Sequence, residues 1–154
     1  MLAALLLLLL QSGSVTGSLT LPDGAGRMST GQIALLPEEY AQAFNAEAQQ
    51  RLDRYWEAYK PEFAQRKELF LQIAPLAYRD ALDAVLFRMR RDSKIDLSRF
   101  VRQTSTGEFD FRGLPAGNYK LVATASIGNA QYAWMESIQV TSGTLFVQMK
   151  NHIP

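Results

Sequence analysis

A chain of 154 residues with 47% hydrophobic content is long enough for one domain that buries roughly two-thirds of its unfolded surface without a covalent staple. Sixteen basic against fifteen acidic residues leave a formal charge of +1, which gives bulk electrostatics no preference for nucleic acid. The absence of cysteine excludes disulfides, thiolate metal sites, a cysteine nucleophile and lipid attachment through cysteine. The single histidine, His152, is too little for most hydrolytic triads or zinc centres, so no cofactor or metal is expected.

Residues 1–10 read MLAALLLLLL, an apolar run of about 15 Å as a helix against a bilayer core of about 30 Å. Such a run matches the h-region of an export signal, and Ser12, Gly13 and Ser14 supply small residues around a cleavage point, although no Lys or Arg precedes it. Residues 1–14 are therefore assigned as a signal segment. A truncated membrane anchor and a part of the fold are the alternatives. Export makes the chain secreted, periplasmic or otherwise of the cell envelope.

Next, Val15, Gly17, Leu19 and Leu21 alternate with Thr16, Ser18 and Thr20 up to Pro22-Asp23-Gly24, a strand closed by turn chemistry. Residues 31–36 predict a second strand. At Pro37-Glu38-Glu39 the pattern changes to a helix start, with proline at a first helical position and two acids to complement the dipole. Tyr40, Phe44, Ala48, Leu52, Tyr55 and Tyr59 then recur three or four apart, predicting a helix of about 22 residues. Lys60-Pro61 is expected to end it, because the residue before proline is pushed out of the helical region. A second helix is predicted from Glu62 to about Arg91, kinked but not ended at Pro75, since burial of its large apolar side chains outweighs one lost hydrogen bond.

Strand grammar resumes at residues 100–104. The stretch 104–121, TSTGEFDFRGLPAGNYKL, reads as a β-hairpin: Phe109 and Phe111 alternate with Glu108, Asp110 and Arg112, residues 113–117 turn, and Tyr119, Leu121, Ala123 and Ala125 alternate again. A strand at 130–140 follows, with a bulge or end expected near Glu136. Thr141-Ser142-Gly143 leads into the last strand through Leu145, Val147 and Met149. The predicted fold is mainly β with an α insertion: a seven-stranded antiparallel Greek-key β-sandwich interrupted by an antiparallel helical hairpin between strands 2 and 3. The sandwich occupies 15–36 and 100–154, the insertion 37–99.

Thr104, Gly107, Phe109, Phe111, Leu114, Pro115, Gly117, Tyr119 and Leu121 form the motif Thr-x-x-Gly-x-Phe-x-Phe-x-x-Leu-Pro-x-Gly-x-Tyr-x-Leu. It resembles the carboxypeptidase regulatory-like domain, a transthyretin-like (prealbumin-like) β-sandwich. Residues 13–24 are similar to that family's opening strand and 138–151 to its closing pair. The likeness spans roughly 85 to 90 residues and omits the helical block. It implies a non-catalytic accessory module that supports, spaces or binds. A transthyretin-like hydrolase of 5-hydroxyisourate ends in Tyr-Arg-Gly-Ser and uses several histidines; this chain ends Asn-His-Ile-Pro, so that activity is not implied.

Trp56, Tyr132 and Trp134 are the candidate stacking residues for a sugar ring or partner. Tyr132 and Trp134 share a strand face with Ile138 and Val140, so burial is the plainer reading, and Trp56 flanks an apolar helix line. Arg88, Arg90, Arg91 and Lys94 form a basic cluster that suits phosphate, lipid headgroups or an acidic partner, and also suits a helix C-terminus. The block 38–100 carries eleven basic and eleven acidic residues, so the cluster is local. Glu38 with Glu39, and Asp80 with Asp83, are the paired carboxylates, read as a helix start and as ion pairing beside Arg79. The partner classes in view are another envelope or secreted protein, a polysaccharide, and a second copy through the helical insertion. Membrane contact is left open by the sequence. The two functional classes are thus an interaction or support module and, as the alternative, a carbohydrate-binding β-sandwich.

Overall fold

The computed structural model describes residues 12–92, 95–150 and 152–153. The apolar run 1–10 lies outside them, while Ser12–Ser14, assigned above to the end of a signal, belong to the first strand. In chain order the elements are β1 (Ser12–Leu19), β2 (Met28–Pro37), α1 (Glu38–Phe63), α2 (Lys67–Arg91), a 3-10 turn η1 (Leu97–Arg99), β3 (Val101–Thr104), β4 (Glu108–Pro115), β5 (Gly117–Ile127), β6 (Ala130–Val140), β7 (Gly143–Met149) and the two-residue β8 (His152–Ile153). They form a three-stranded sheet, β4-β1-β7, and a five-stranded sheet, β3-β2-β5-β6-β8. Among the described residues there are eight strands rather than seven, and β1 runs parallel to β7, Gly13 opposite Gly143 through Leu19 opposite Met149. The sandwich is therefore not wholly antiparallel.

The stretch 104–121 is not a hairpin. β4 pairs with β1 in one sheet and β5 with β2 and β6 in the other, so residues 104–107 and 115–117 each carry the chain across the sandwich. Alternation fixed which face of each strand is dry, and that face looks across the interior: Phe109, Phe111 and Leu114 from one sheet, Tyr119, Leu121 and Ala123 from the other, all buried. The two turns are built from the motif residues. Thr104 Oγ1 accepts from the Gly107 N–H at 2.9 Å, and Gly107, at φ 90°, takes a conformation costly for a side chain. Its carbonyl accepts from the Leu19 N–H at 2.9 Å. At the second turn Tyr119 Oη donates to the Pro115 carbonyl at 2.7 Å.

The five-stranded sheet is covered on both faces. Ile33, Ala34, Leu35 and Leu36 are consecutive and fully buried, as are Leu121, Val122 and Ala123, which a half-exposed strand does not allow. The three-stranded sheet covers one face. The helices cover the other, α1 across β2 and β5, α2 chiefly across β6. Tyr40, Phe44, Ala48, Leu82, Val85 and Met89 join the same core as Val15, Phe111 and Trp134. The insertion is thus folded back on the sheet, and a third layer accounts for the unbroken apolar runs of β2 and β5.

Helix boundaries differ from expectation at Pro61. α1 passes through it to Phe63, since proline in a last turn forfeits one bond where few remain, and the chain turns at residues 64–66, where the Gln65 and Arg66 N–H groups donate to the Glu62 carbonyl at 3.0 and 2.9 Å. α2 continues unbroken through Pro75. β6 also runs on through Glu136, opposite Leu121, with no bulge. β8 flanks only Ala133 and Trp134, so Glu136 reaches water at the open edge.

Candidate functional site

Burial along α1 ends at Ala48, and no described residue from 49 to 72 is buried. The helices nonetheless stay paired there. Tyr55 Oη donates to the Asp80 carboxylate at 2.6 Å, and Arg79 Nε and Nη2 both donate to its other oxygen at 3.1 Å. The Asp80 hydrogen bond, with burial second, raises the Tyr55 pKa above its ordinary value. Asp83 is also held above the usual carboxylate value, by desolvation first and the Asp80 charge next. Asp80 thus serves pairing within the hairpin.

Between the helices Tyr55, Tyr59, Phe63, Leu69, Ile73 and Leu76 line a cleft of about 380 Å³, with Gln72, Arg79 and Asp80 as its polar lining. Tyr59, which lines it, is 47% exposed, and Trp56 next to Tyr55 is 40% exposed. The Trp56 ring lies 5.1 Å from that of Phe63. The sheet end anchors this region through the Gln131 N–H, which donates to the Gln72 side-chain carbonyl at 2.9 Å. Pro75, lacking an N–H, sits one turn further into α2 and weakens the ladder near the point where sheet support begins.

Of the candidates named from sequence, Trp56 is at this tip. Trp134 is fully buried and its indole N–H donates to the Thr20 carbonyl at 3.2 Å, so it offers no binding surface. Tyr132 is half-buried, its ring 6.3 Å from that of Trp134. Arg88, Arg90 and Arg91 are exposed at the end of α2, and Lys94 lies outside the described residues. Tip and basic cluster stand at opposite ends of the hairpin.

Sequence reasoning missed Phe146. It is 79% exposed on the outer face of the three-stranded sheet, where a broad trough of about 830 Å³ has Thr16, Gly17 and Ser18 as its floor and Phe146, Gln148, Glu108, Asp110 and Arg112 along its sides. Alternation in β7 carried that signal, because Leu145, Val147 and Met149 point inward. Asp110 accepts from Thr16 Oγ1 at 2.9 Å and from Arg112 Nε at 2.7 Å, and the Thr16 bond leads in holding its carboxyl below the ordinary range. Among the described residues no group of three His, Asp or Glu side chains could hold a metal, and no helix is long and apolar enough to cross a membrane.

The fold and these surfaces define a class: a two-sheet β-sandwich with a helical hairpin inserted between its second and third strands. No protein-family model matches the chain, and no curated protein does. Among solved structures it is similar to the full-length major pilin RrgB of Streptococcus pneumoniae, at 15% identity over 92% of this chain and 31% of the pilin chain, with a TM-score of 0.25. The architecture accordingly rests on the strand register above, and the carboxypeptidase regulatory-like likeness on its motif residues.

Proposed function

We propose that the chain is a non-catalytic, exported interaction module of the carboxypeptidase regulatory-like type, which offers the far half of its helical hairpin to another envelope or secreted protein. The observation that carries this reading is the cleft between α1 and α2, lined by Tyr55, Tyr59, Phe63, Leu69 and Ile73, with Tyr59 and the neighbouring Trp56 exposed beside it. Large aromatic and aliphatic side chains beside a pocket are what a partner helix with apolar anchors three or four residues apart requires. The motif residues 104–121 support the same reading, since each has a turn or core duty and none is committed to chemistry.

The test is cross-linked affinity capture from the native envelope fraction, using the wild-type chain, a Trp56→Ser/Tyr59→Ser variant, and Phe146→Ser as a control. A partner held by wild type and the Phe146→Ser control, and lost by the tip variant, is the expected result. Retention of the same partner by the tip variant contradicts the reading.

Polysaccharide recognition is a second reading, favoured by Phe146. An exposed ring beside Asp110, Arg112 and Gln148 offers a stacking face with planar hydrogen-bonding groups. A glycan array tests it, with Phe146→Ser as the variant. A sugar bound equally well by wild type and variant removes this reading.

A further inference from the structure

β1 enters the fold at one end of the molecule, with Ser12 opposite Pro115 and Gly13 opposite both Leu114 and Gly143. The same end holds the close of β2, where Pro37 pairs with Tyr119, and hence the first turn of α1. It also holds the last turn of α2, because Tyr40 Oη donates to the Asp92 carboxylate. Arg99 ties η1 to it by donating to the Gly113 carbonyl.

Arg88, Arg90 and Arg91 project from this last turn, all exposed, and none lies within ion-pair distance of a described carboxylate. Phe87 beside them is 59% exposed, with the Arg91 guanidinium 6.0 Å from its ring centroid. Core packing has no use for this ring, and the helix dipole explains cations here but not an aromatic. Acidic side chains at the same end have other duties: Asp92 takes the Tyr40 hydroxyl, Asp96 accepts from the Ser98 N–H, and Glu38 and Glu39 begin α1. Arg88, Arg90 and Arg91 nonetheless concentrate three exposed positive charges on the last turn of α2, within one screening length of each other.

We propose that this end of α2 docks on an anionic phospholipid surface, Phe87 entering the boundary between headgroups and acyl chains while Arg88, Arg90 and Arg91 pair with lipid phosphates. Guanidinium suits phosphate by its planar fork, and an exposed apolar ring beside basic residues is the composition of interfacial anchors. The hairpin tip then points away from the bilayer by the length of α1, 26 residues or about 39 Å. This surface is separate from the cleft at the tip, and neither depends on the other.

Sedimentation of the full chain with vesicles of phosphatidylcholine alone, and of phosphatidylcholine with phosphatidylglycerol, tests the proposal. The expected result is binding to the phosphatidylglycerol vesicles that falls steeply with salt. Arg88→Gln/Arg90→Gln/Arg91→Gln should weaken it by about 100-fold and Phe87→Ser by roughly tenfold, while Arg54→Gln/Arg66→Gln at the tip leaves it unchanged. Absence of binding, equal binding to both vesicle types, or an arginine variant that binds like wild type overturns the proposal. Displacement by inorganic phosphate at constant ionic strength also overturns it, since that marks a single-anion site rather than a surface.

Discussion

The two halves of the helical hairpin share one composition and have opposite fates. Near the sheet, Tyr40, Phe44 and Ala48 of α1 and Ala81, Leu82, Val85, Leu86 and Met89 of α2 are buried in the common core. Past Ala48, Tyr55, Tyr59 and Phe63 continue at three- and four-residue spacing, yet none of them is buried. Helical periodicity declares an apolar face, and the extent of the sheet decides how much of that face is covered. The remainder stays exposed, and a large exposed apolar patch is the informative deviation on a folded surface.

The sharpest way to break this contrast is to cut each half. Phe44→Ala removes a fully buried ring and is expected to cost about 3 to 5 kcal/mol in urea unfolding. A loss below 1 kcal/mol would mean that the near half is not core.

Tyr40 sharpens it by pH. Burial first, then the Asp92 hydrogen bond, push its phenol from 10.0 to about 12. An acid with a raised folded pKa favours the neutral form in the fold, so its contribution is intact below pH 10 and lost as pH climbs from 10 to 12. Tyr40→Phe should remove that part of the alkaline decline in a pH series of urea midpoints. Tyr55, Tyr78 and Tyr119, also raised, keep a residual slope. An unchanged profile would place Tyr40 in water.

Gly107→Ala extends the comparison to the sandwich. At φ 90° a side chain costs about 1 to 3 kcal/mol, read as a lower urea midpoint. A neutral result would deny the strained crossing. The smallest effect belongs to the tip, where Trp56→Ser and Tyr59→Ser should each change stability by about 0.5 kcal/mol or less while removing the captured partner.

Much of the fold was legible from spacing alone. Period two located seven strands, and period 3.6 located both helices between β2 and β3. What failed was pairing. Residues 104–121 read as a hairpin because alternation marks the dry face of Phe109, Phe111, Tyr119 and Leu121 but says nothing about whether the next strand lies beside it or across the core. Buried Leu114, in the middle of the supposed turn, is the residue that separates the two arrangements. The parallel β1–β7 pair was invisible for the same reason, as the two strands are more than a hundred residues apart.

The candidate sites were legible in proportion to how local their cause is. The arginines at the end of α2 are a local feature, and they are exposed where the sequence put them. Trp134 and Phe146 depend on which strand faces are covered: the first is enclosed between the sheets, and the second is left bare because nothing described covers the outer face of β4-β1-β7. Tyr59 lies on the helical stripe that normally signals core. Only the extent of the sheet, which no helix sequence encodes, leaves it at the surface.

Native-state hydrogen exchange along the hairpin addresses the division into two halves most directly, because it separates amides that open locally from those released by global unfolding. Amides near Phe44 and Ala48 in α1, and from Ala81 to Met89 in α2, should exchange only through global unfolding, with those from Tyr55 to Gln72 exchanging faster through local opening. Uniform protection from Tyr40 to Met89 would contradict the division.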